Sequence, residues 1–462
     1  MTDSNNRAER LVLGFSLFLL VALVTLSFLP TGFRIGSFEA RPVDFISDIT
    51  RPGEASTENL ATEEPGENLT TDSLVVRPRT VPDFLHYDGI INYQLDEPFS
   101  LPYFSKALAD LQAGRRKKVR IAHIGDSFLE GDIITMDLRS LLQAHFGGKG
   151  VGFVPITSVI AGFRPTINHS FSGWDDQHFK NSDNKHELFL SGHRFVSATN
   201  ATLTYSGAKD SLLRSFDEVY AIYNGKNTGG FAVNGRGFNP VGHQGITRQR
   251  IADSAQMVRL SIPAGQTWYG LSMESDHGIY VDNFNFRGID GNEFRHIDQN
   301  WYSAINEAAP YDLIILQFGA NLLWRPNSTN FKYYEGPMIE AVQKLKRGFP
   351  NADIMIVTTG DKAFRYGGEY SSAKGIPPLL NIQHTIADST DVHLWNLFHA
   401  MGGEGSIIKW VNASPPLANK DYTHVNFKGG KQLAQLLYNA IMDAVEANHQ
   451  DSLHGDMANG KQ

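Results

Sequence analysis

The sequence predicts an α/β domain on a parallel sheet with helices on both faces, interrupted by an antiparallel β module and preceded by a membrane-spanning helix. Three observations carry this. Near-continuous apolar runs of strand length alternate with helical stretches. A mid-chain block has short segments of alternating polarity between turn residues. One uninterrupted apolar run stands near the N-terminus.

Element by element, residues 1–10 (MTDSNNRAER) are a polar tail, and 11–30 (LVLGFSLFLLVALVTLSFLP) are the apolar run. About 20 residues rising ~1.5 Å each match a hydrocarbon core of ~30 Å. The apolar stretch is longer than the core of a cleaved signal, and no A-x-A site follows Pro30, so an uncleaved anchor is expected. Arg7 and Arg10 on one side and Arg34 and Arg41 on the other give little charge asymmetry. A ten-residue tail with everything else beyond the span suits an N-in anchor. The expectation is a single-pass inner-membrane protein with its bulk in the periplasm or otherwise outside the cytoplasm. Residues 31–82 are rich in Glu, Thr, Pro, Asn and Ser and too poor in apolar side chains to offset chain entropy, so they are expected to be a disordered acidic linker. Its flexible part, from Arg41 to Pro82, has an expected end-to-end distance of roughly 35 Å.

The α/β domain is expected in two parts, 83–164 and 285–448, around an inserted β module at 165–284, with a disordered tail at 449–462. Lys118–Gly125 (KVRIAHIG) reads as the first parallel strand, and Leu129–Phe146 as a helix with apolar residues at Ile133, Leu138, Leu141 and Leu142. Tyr311–Phe318 (YDLIILQF) and Ala352–Thr359 (ADIMIVTT) read as strands flanking a helix over Phe331–Arg347. Val392–Phe398 reads as a further strand and Asn426–Val445 as the closing helix. In the module, RFVSATNATLTYS, EVYAIYNG, MVRLSIPAG and TWYGLSME alternate between Gly, Asn, Asp and Pro turns.

Composition excludes whole classes of function. The 462 residues carry 41 Lys+Arg against 49 Asp+Glu, which lacks the basic footprint of a nucleic-acid binder. The absence of cysteine removes disulfides, thiol nucleophiles and Cys-ligated metals. Covalent catalysis would need a hydroxyl, amine, imidazole or carboxylate. His186-Glu187 with His193 lacks the H-E-x-x-H spacing, so no metal is expected. The glycine-rich NGKNTGGFAVNGRGFNPVG has no Walker Lys-Ser/Thr and reads as loops. Trp174, Trp268 and Tyr269 could stack on a sugar, but aromatics in a β module more often pack. No cofactor is expected.

Three features can carry chemistry. Gly125-Asp126-Ser127 stands where the first strand turns into its helix, at the ligand-binding edge of such a sheet and at a helix N-terminus able to hold an oxyanion. Its ordinary alternative is a capping turn. Asp421-Tyr422-Thr423-His424 precedes the last helix and can supply a base and the carboxylate that orients it; the alternative is a capping Asp beside an exposed His. Gly319-Ala320-Asn321 follows YDLIILQF, and its amide can donate to an oxyanion, or it is a plain strand-to-loop turn.

In this order and placement the features resemble the SGNH (GDSL-type) hydrolase family, over segments from about Lys118 to Val445 outside the insertion. Ser127, Asn321, Asp421 and His424 match its motifs, and Gly288 in GIYVDNFNFRGIDG is the candidate oxyanion glycine, with Gly291 nearby. The resemblance implies a three-layer α/β/α, flavodoxin-like domain with a jelly-roll-like antiparallel insertion. It implies a Ser127–His424–Asp421 triad and an oxyanion hole from Ser127, Gly288 and Asn321, supported by Gly125, Asp126 and Gly319. The blocks GDSFLEGDIITMDLRSLLQAHFGGKGVGFVP and WNLFHAMGGEGSIIKWVNASPPLANKDYTHVNFKGG look like bacterial envelope members acting on O-acetyl groups of peptidoglycan or related polysaccharide, some with a carbohydrate-binding-like β insertion. Phe128 departs from that branch, which often has His there. The implied activity is serine esterase chemistry on an O-acetylated glycan. The alternatives are O-acetyl transfer by the same triad, with a membrane acyl-donor partner, and a membrane-tethered glycan-binding protein without catalysis.

Overall fold

The computed structural model describes residues 83–459 except 95–98, 210–212, 227 and 243–244, and, N-terminal to these, only the paired strands Arg34–Ile35 and Phe38–Glu39. The tail at 1–10, the expected span at 11–30 and nearly all of the linker at 31–82 lie outside the described residues. Among the described residues no helix is long and apolar enough to cross a membrane.

In chain order the domain begins with β1 (Ile91–Asn92), α1 (Pro102–Gln112), β2 (Lys118–Gly125), a 3-10 turn (Ser127–Asp132) and α2 (Thr135–Phe146). Nine strands of the inserted module follow: β3 (Gly152–Pro155), β4 (Ile167–His178), β5 (His193–Gly207), β6 (Phe216–Asn224), β7 (Phe231–Val233), β8 (Arg236–Phe238), β9 (Ile246–Ala255), β10 (Met257–Ile262) and β11 (Thr267–Glu274). The chain returns through β12 (Gly278–Asn285), α3 (Gln299–Ala308), β13 (Leu313–Gln317), α4 (Lys332–Gly348) and β14 (Asp353–Val357). It ends with a hairpin of β15 (Ala363–Tyr366) and β16 (Glu369–Ser372), then α5 (Ile376–Ser389), β17 (His393–Trp395), the short helices α6 (Leu397–Ala400) and α7 (Ser406–Asn412), and α8 (Phe427–Asn459).

The central sheet has the order β12-β2-β13-β14-β17-β1, all parallel except the last pair. Successive residues of its strands point to opposite faces, and both faces are covered. Val119 and Ile121 of β2, Leu313 and Ile315 of β13, and Met355 and Val357 of β14 pack with α1, α2 and α8 through Phe104, Leu138 and Leu437. Ala122, Ile124, Ile314, Leu316, Ile354 and Ile356 pack on the other side with α3, α4 and α5 through Ile305, Val342 and Leu379. This double burial makes the strands read as unbroken apolar runs.

The inserted strands form one branched antiparallel sheet in the order β8-β7-β10-β5-β11-β6-β9, with β3 paired to β11 and β4 to β5. It has a core of its own that includes Phe195, Leu203, Val258 and Trp268. Trp268 and Tyr269 are fully buried, and Trp174 meets Trp268 edge-on at 6.4 Å, so these aromatics pack. The glycine-rich run becomes the β7–β8 hairpin, turning through Asn234 and Gly235 at positive φ.

The boundaries differ from those expected at 165–284. The insertion begins earlier, because β3 belongs to the antiparallel sheet. It also ends earlier, because β12 is the edge strand of the parallel sheet, registered from Gly278↔Lys118 to Asn285↔Gly125. The polar residues of β12 disguise it as a half-exposed strand: Asp282 accepts from the Phe153 N–H and the Tyr311 hydroxyl, and Asn283 donates to Leu129 O. The expected helix at 129–146 starts instead at Thr135, after the 3-10 turn, and the expected strand at 392–398 is cut to three residues by α6. The backbone is helical through Asn459 where a disordered tail from 449 was expected, since no proline follows Val445 to stop the helix.

Candidate active site

Strand order in the parallel sheet reverses between β2 and β13, and ligands of such sheets bind beyond the carboxyl ends of the strands at that point. Ser127 follows β2 and Asn321 follows β13. Gly125 is dictated by the closeness of these strands: a Cβ there would stand 2.7 Å from Gln317 O. The Asp126 carboxylate caps the 3-10 turn by accepting from the Phe128 N–H at 3.0 Å, which leaves Ser127 as the first residue of the turn. Gly319 has φ +142°, and a Cβ would meet Thr359 Cβ at 2.6 Å.

The loop before α8 brings the third element. Asp421 Oδ1 accepts from the Thr423 and His424 N–H groups at 3.0 Å, a tight local turn with Tyr422 at φ +54°. Asp421 Oδ2 lies 2.7 Å from His424 Nδ1, and His424 Nε2 lies 2.8 Å from Ser127 Oγ. The structure thus joins Ser127, His424 and Asp421 into one hydrogen-bonded chain across 297 positions of sequence. Desolvation pushes the Asp421 carboxyl up, but the His424 ring and the two backbone donors outweigh it and bring the group to about 2. Phe128 is buried with its ring 5.8 Å from that of His424.

The expected oxyanion donors differ in their partners. Among the described residues the Ser127 and Gly288 N–H groups have no acceptor within the protein, whereas the Gly291 N–H donates to Glu293 at 3.1 Å. Gly288, however, is exposed and is not among the residues that line the cavity of Ser127, Asn321 and His424. Asn321 is brought beside Ser127 in the same cavity, but both hydrogens of its amide are taken, by Asp126 Oδ2 at 3.2 Å and Ile289 O at 2.7 Å. Asp126 is buried, and burial pushes its carboxyl up to about 6 against the Phe128 N–H and the charges of His424 and Lys362.

Sequence reasoning misses three residues here. Lys362 is half-buried, donates to Ala320 O at 3.1 Å and interacts with both Asp126 and Asp421; burial draws its ammonium below the usual range against those two carboxylates. Glu130, in the turn after Ser127, holds the Arg287 guanidinium through both carboxylate oxygens. Lys180, from the inserted module, donates to Arg287 O at 3.0 Å. Lys362 and Lys180 stand in no motif, Glu130 lies within the first block without a role of its own there, and each contact links residues more than forty positions apart.

Ser127, Asn321 and His424 line an open cavity of about 510 Å³. Beside it a cleft of about 250 Å³ lies between the inserted sheet and the α/β domain. The two share Glu130, Ile160 and Arg287 as lining residues, so they adjoin. Among the described residues no cluster of three or more His, Asp or Glu side chains is placed to hold a metal ion.

No family profile matches the chain, and no curated protein matches it in sequence. Solved structures do match in fold. A peptidoglycan O-acetylesterase superposes with a TM-score of 0.66 at 21% identity, over 78% of this chain and 99% of that one. An acetyl xylan esterase matches over 35% of this chain and 81% of its own, at 16% identity and a TM-score of 0.27. A carbohydrate acetylesterase from Sinorhizobium meliloti matches over 36% and 79%, at 14% identity and a TM-score of 0.26. Insertion included, the chain has the α/β fold of a peptidoglycan O-acetylesterase, a fold like that of the SGNH hydrolases its motifs resemble.

Proposed function

We propose that this chain is a serine esterase that removes O-acetyl groups from peptidoglycan or another envelope polysaccharide through an acetyl-serine intermediate. The observation that carries the reading is the chain of contacts Ser127 Oγ···His424 Nε2 at 2.8 Å and His424 Nδ1···Asp421 at 2.7 Å. His424 takes the Ser127 proton as Oγ attacks the acetyl carbonyl, and Asp421 fixes the ring and stabilises the imidazolium. The N–H group of Ser127 receives the oxyanion. Asn321 joins it by releasing its longer bond to Asp126. His424 then returns the proton to the departing sugar oxygen. Water, deprotonated by the same imidazole, attacks the acetyl-serine; the bond to Oγ breaks, acetate leaves, and His424 returns the proton to Ser127.

Hydrolysis fits better than transfer to a second sugar, because the His424 side chain is 36% and the Asp421 side chain 48% exposed, so water reaches the site. Contacts this short also disfavour a binding-only role. A polymeric substrate is supported by the cleft that adjoins the cavity on the side of the inserted sheet. The anchor at 11–30 and the linker would hold the domain outside the inner membrane, facing the wall.

The test is acetate release by the full-length chain in detergent from O-acetylated peptidoglycan, beside Ser127→Ala. Serine-dependent release is expected; turnover confined to a simple acetyl ester would move the substrate to another polysaccharide, and inertness on both would favour glycan binding. Occupation of the cleft carries its own expectation. On acetylated fragments of increasing length, kcat/KM should rise about tenfold or more beyond one sugar, whereas a flat series would confine binding to the catalytic cavity.

A further inference from the structure

We propose that Phe163, in the loop between β3 and β4, is a specificity-determining residue: its exposed ring is the platform on which the pyranose bearing the acetyl group stacks. The proposal deepens the esterase reading and rests on it. Phe163 lines the same cavity as Ser127, Asn321 and His424. At about 510 Å³ that cavity is far larger than an acetyl group, and the surplus is room for the alcohol half of the ester. A pyranose presents two kinds of surface, a face of C–H groups and a rim of hydroxyls. The cavity offers the complement of both. Phe163 supplies an apolar face, and Glu130, Arg287 and Asn419 supply polar side chains among the lining residues. The sugar's oxygens leave its C–H groups partly positive, and the face of an aromatic ring carries negative potential. An aliphatic wall would give contact area without that attraction.

Exposure and fixed position together single this ring out. Phe163 is 54% exposed, whereas Phe128, the other phenylalanine of the cavity, is buried with its ring near that of His424. The Phe163 N–H donates to Ile160 O at 2.8 Å, closing the turn that carries it. Arg164, the next residue, bonds Thr166 at 3.0 Å and Asp132 at 3.3 Å, and Asp132 ends the turn that Ser127 begins. The ring itself rests on Gly131, where a Cβ would stand 2.7 Å from Cδ1, and lies 5.4 Å from the ring of Phe427 at the start of α8. Gly131 sits at φ +69°, so the missing side chain serves the backbone and the ring alike. A ring already held in place costs little ordering when a sugar binds. Trp174, Trp268 and Tyr269, the aromatics that the sequence offered for stacking, line neither this cavity nor the adjoining cleft.

The experiment is steady-state kinetics of the full-length chain in detergent on O-acetylated peptidoglycan and on a small activated acetyl ester that has no sugar, for the parent, Phe163→Leu and Phe163→Tyr. Leucine keeps apolar bulk against Gly131 and Phe427 but has no aromatic face; tyrosine keeps the face. The selectivity, kcat/KM on the glycan divided by kcat/KM on the ester, should fall about tenfold in Phe163→Leu and stay within about twofold of the parent in Phe163→Tyr. An unchanged selectivity in the leucine variant overturns the proposal, because any apolar wall then serves. An equal fall in both variants also overturns it, since the position then matters and the aromatic face does not. The underlying reading fails separately. If Ser127→Ala turns over the ester as fast as the parent, there is no serine esterase to specialise; if the parent turns over the ester but releases nothing from peptidoglycan, the glycan assignment falls and the platform with it.

Discussion

Ser127→Ala and His424→Ala are each expected to lower kcat on an acetyl ester by about 10⁴-fold or more, and the double variant to be little worse than either, because the two side chains act as one proton-transfer unit. Asp421→Asn is the more instructive change. Asparagine keeps the oxygen that accepts from the Thr423 and His424 N–H groups, so the loop should hold its shape. Its amide would face His424 Nδ1, now 2.7 Å from a carboxylate oxygen, and would require that nitrogen to accept. The ring proton then moves to Nε2, the atom 2.8 Å from Ser127 Oγ, which can no longer receive the serine proton. A loss of about 10²- to 10⁴-fold in kcat is expected with an unchanged melting temperature. Because the Asp421 carboxyl sits at about 2, the parent enzyme should keep this group ionised down to about pH 3, and acid inactivation above that point should not come from its protonation. Activity within tenfold of the parent for Asp421→Asn would remove Asp421 from the mechanism.

How much of this was legible in the sequence follows from the range of each interaction. Ser127 with its Gly125-Asp126 lead, Gly319 and the Asp421–His424 pair are set by local geometry: a strand end, a tight turn, a cap. Such geometry leaves short motifs, and those motifs stand where the structure needs them. The central strands were legible for a different reason, since burial on both faces removes the polar alternation. The edge strand β12 was not, because its Asp282 and Asn283 face polar partners on β3 and in the turn after Ser127 and so look solvated. Helices α1, α3 and α5 went unplaced. Helix α1 has no capping side chain, its N-cap Leu101 lying at φ +57°. Helix α5 carries the Pro377-Pro378 pair in its first turn, which reads as a break although proline suits that position. Lys180 could not be found at all: a side chain that meets a backbone carbonyl 107 residues away leaves no residue-type signature at its partner.

Asp132→Asn should produce the largest loss of stability in the domain. Asp132 ends the turn that Ser127 begins, and it is fully buried at φ +69°, a conformation unusual for a residue with a side chain. Arg139 grips both its oxygens at 3.0 Å, Arg164 approaches at 3.3 Å, and the hydroxyls of Thr135 and Thr166 also donate to it. Burial opposes its charge, yet the two guanidinium groups hold its carboxyl well below the usual carboxylate range. Asparagine would be nearly isosteric but neutral, leaving Arg139 and Arg164 buried without a counter-charge. Removing one partner of such a group costs about 3–5 kcal/mol. For a domain of this size that corresponds to a drop of about 4–6 °C in Tm. The sign with pH is also fixed. A carboxyl whose folded pKa is depressed contributes stability above the unfolded value of about 3.9 and loses it as pH falls toward the folded one, so the gap between parent and variant should close on acidification below about pH 4. If the gap is present at pH 7 and constant to pH 3, the loss comes from packing and not from charge; if there is no gap, the two arginines find other partners. Replacing Arg164 by Met in the Asp132→Asn background should recover part of the loss, because it removes one of the stranded charges. The same turn carries Ser127, so this ion cluster is also what holds the nucleophile at the switch point of the sheet.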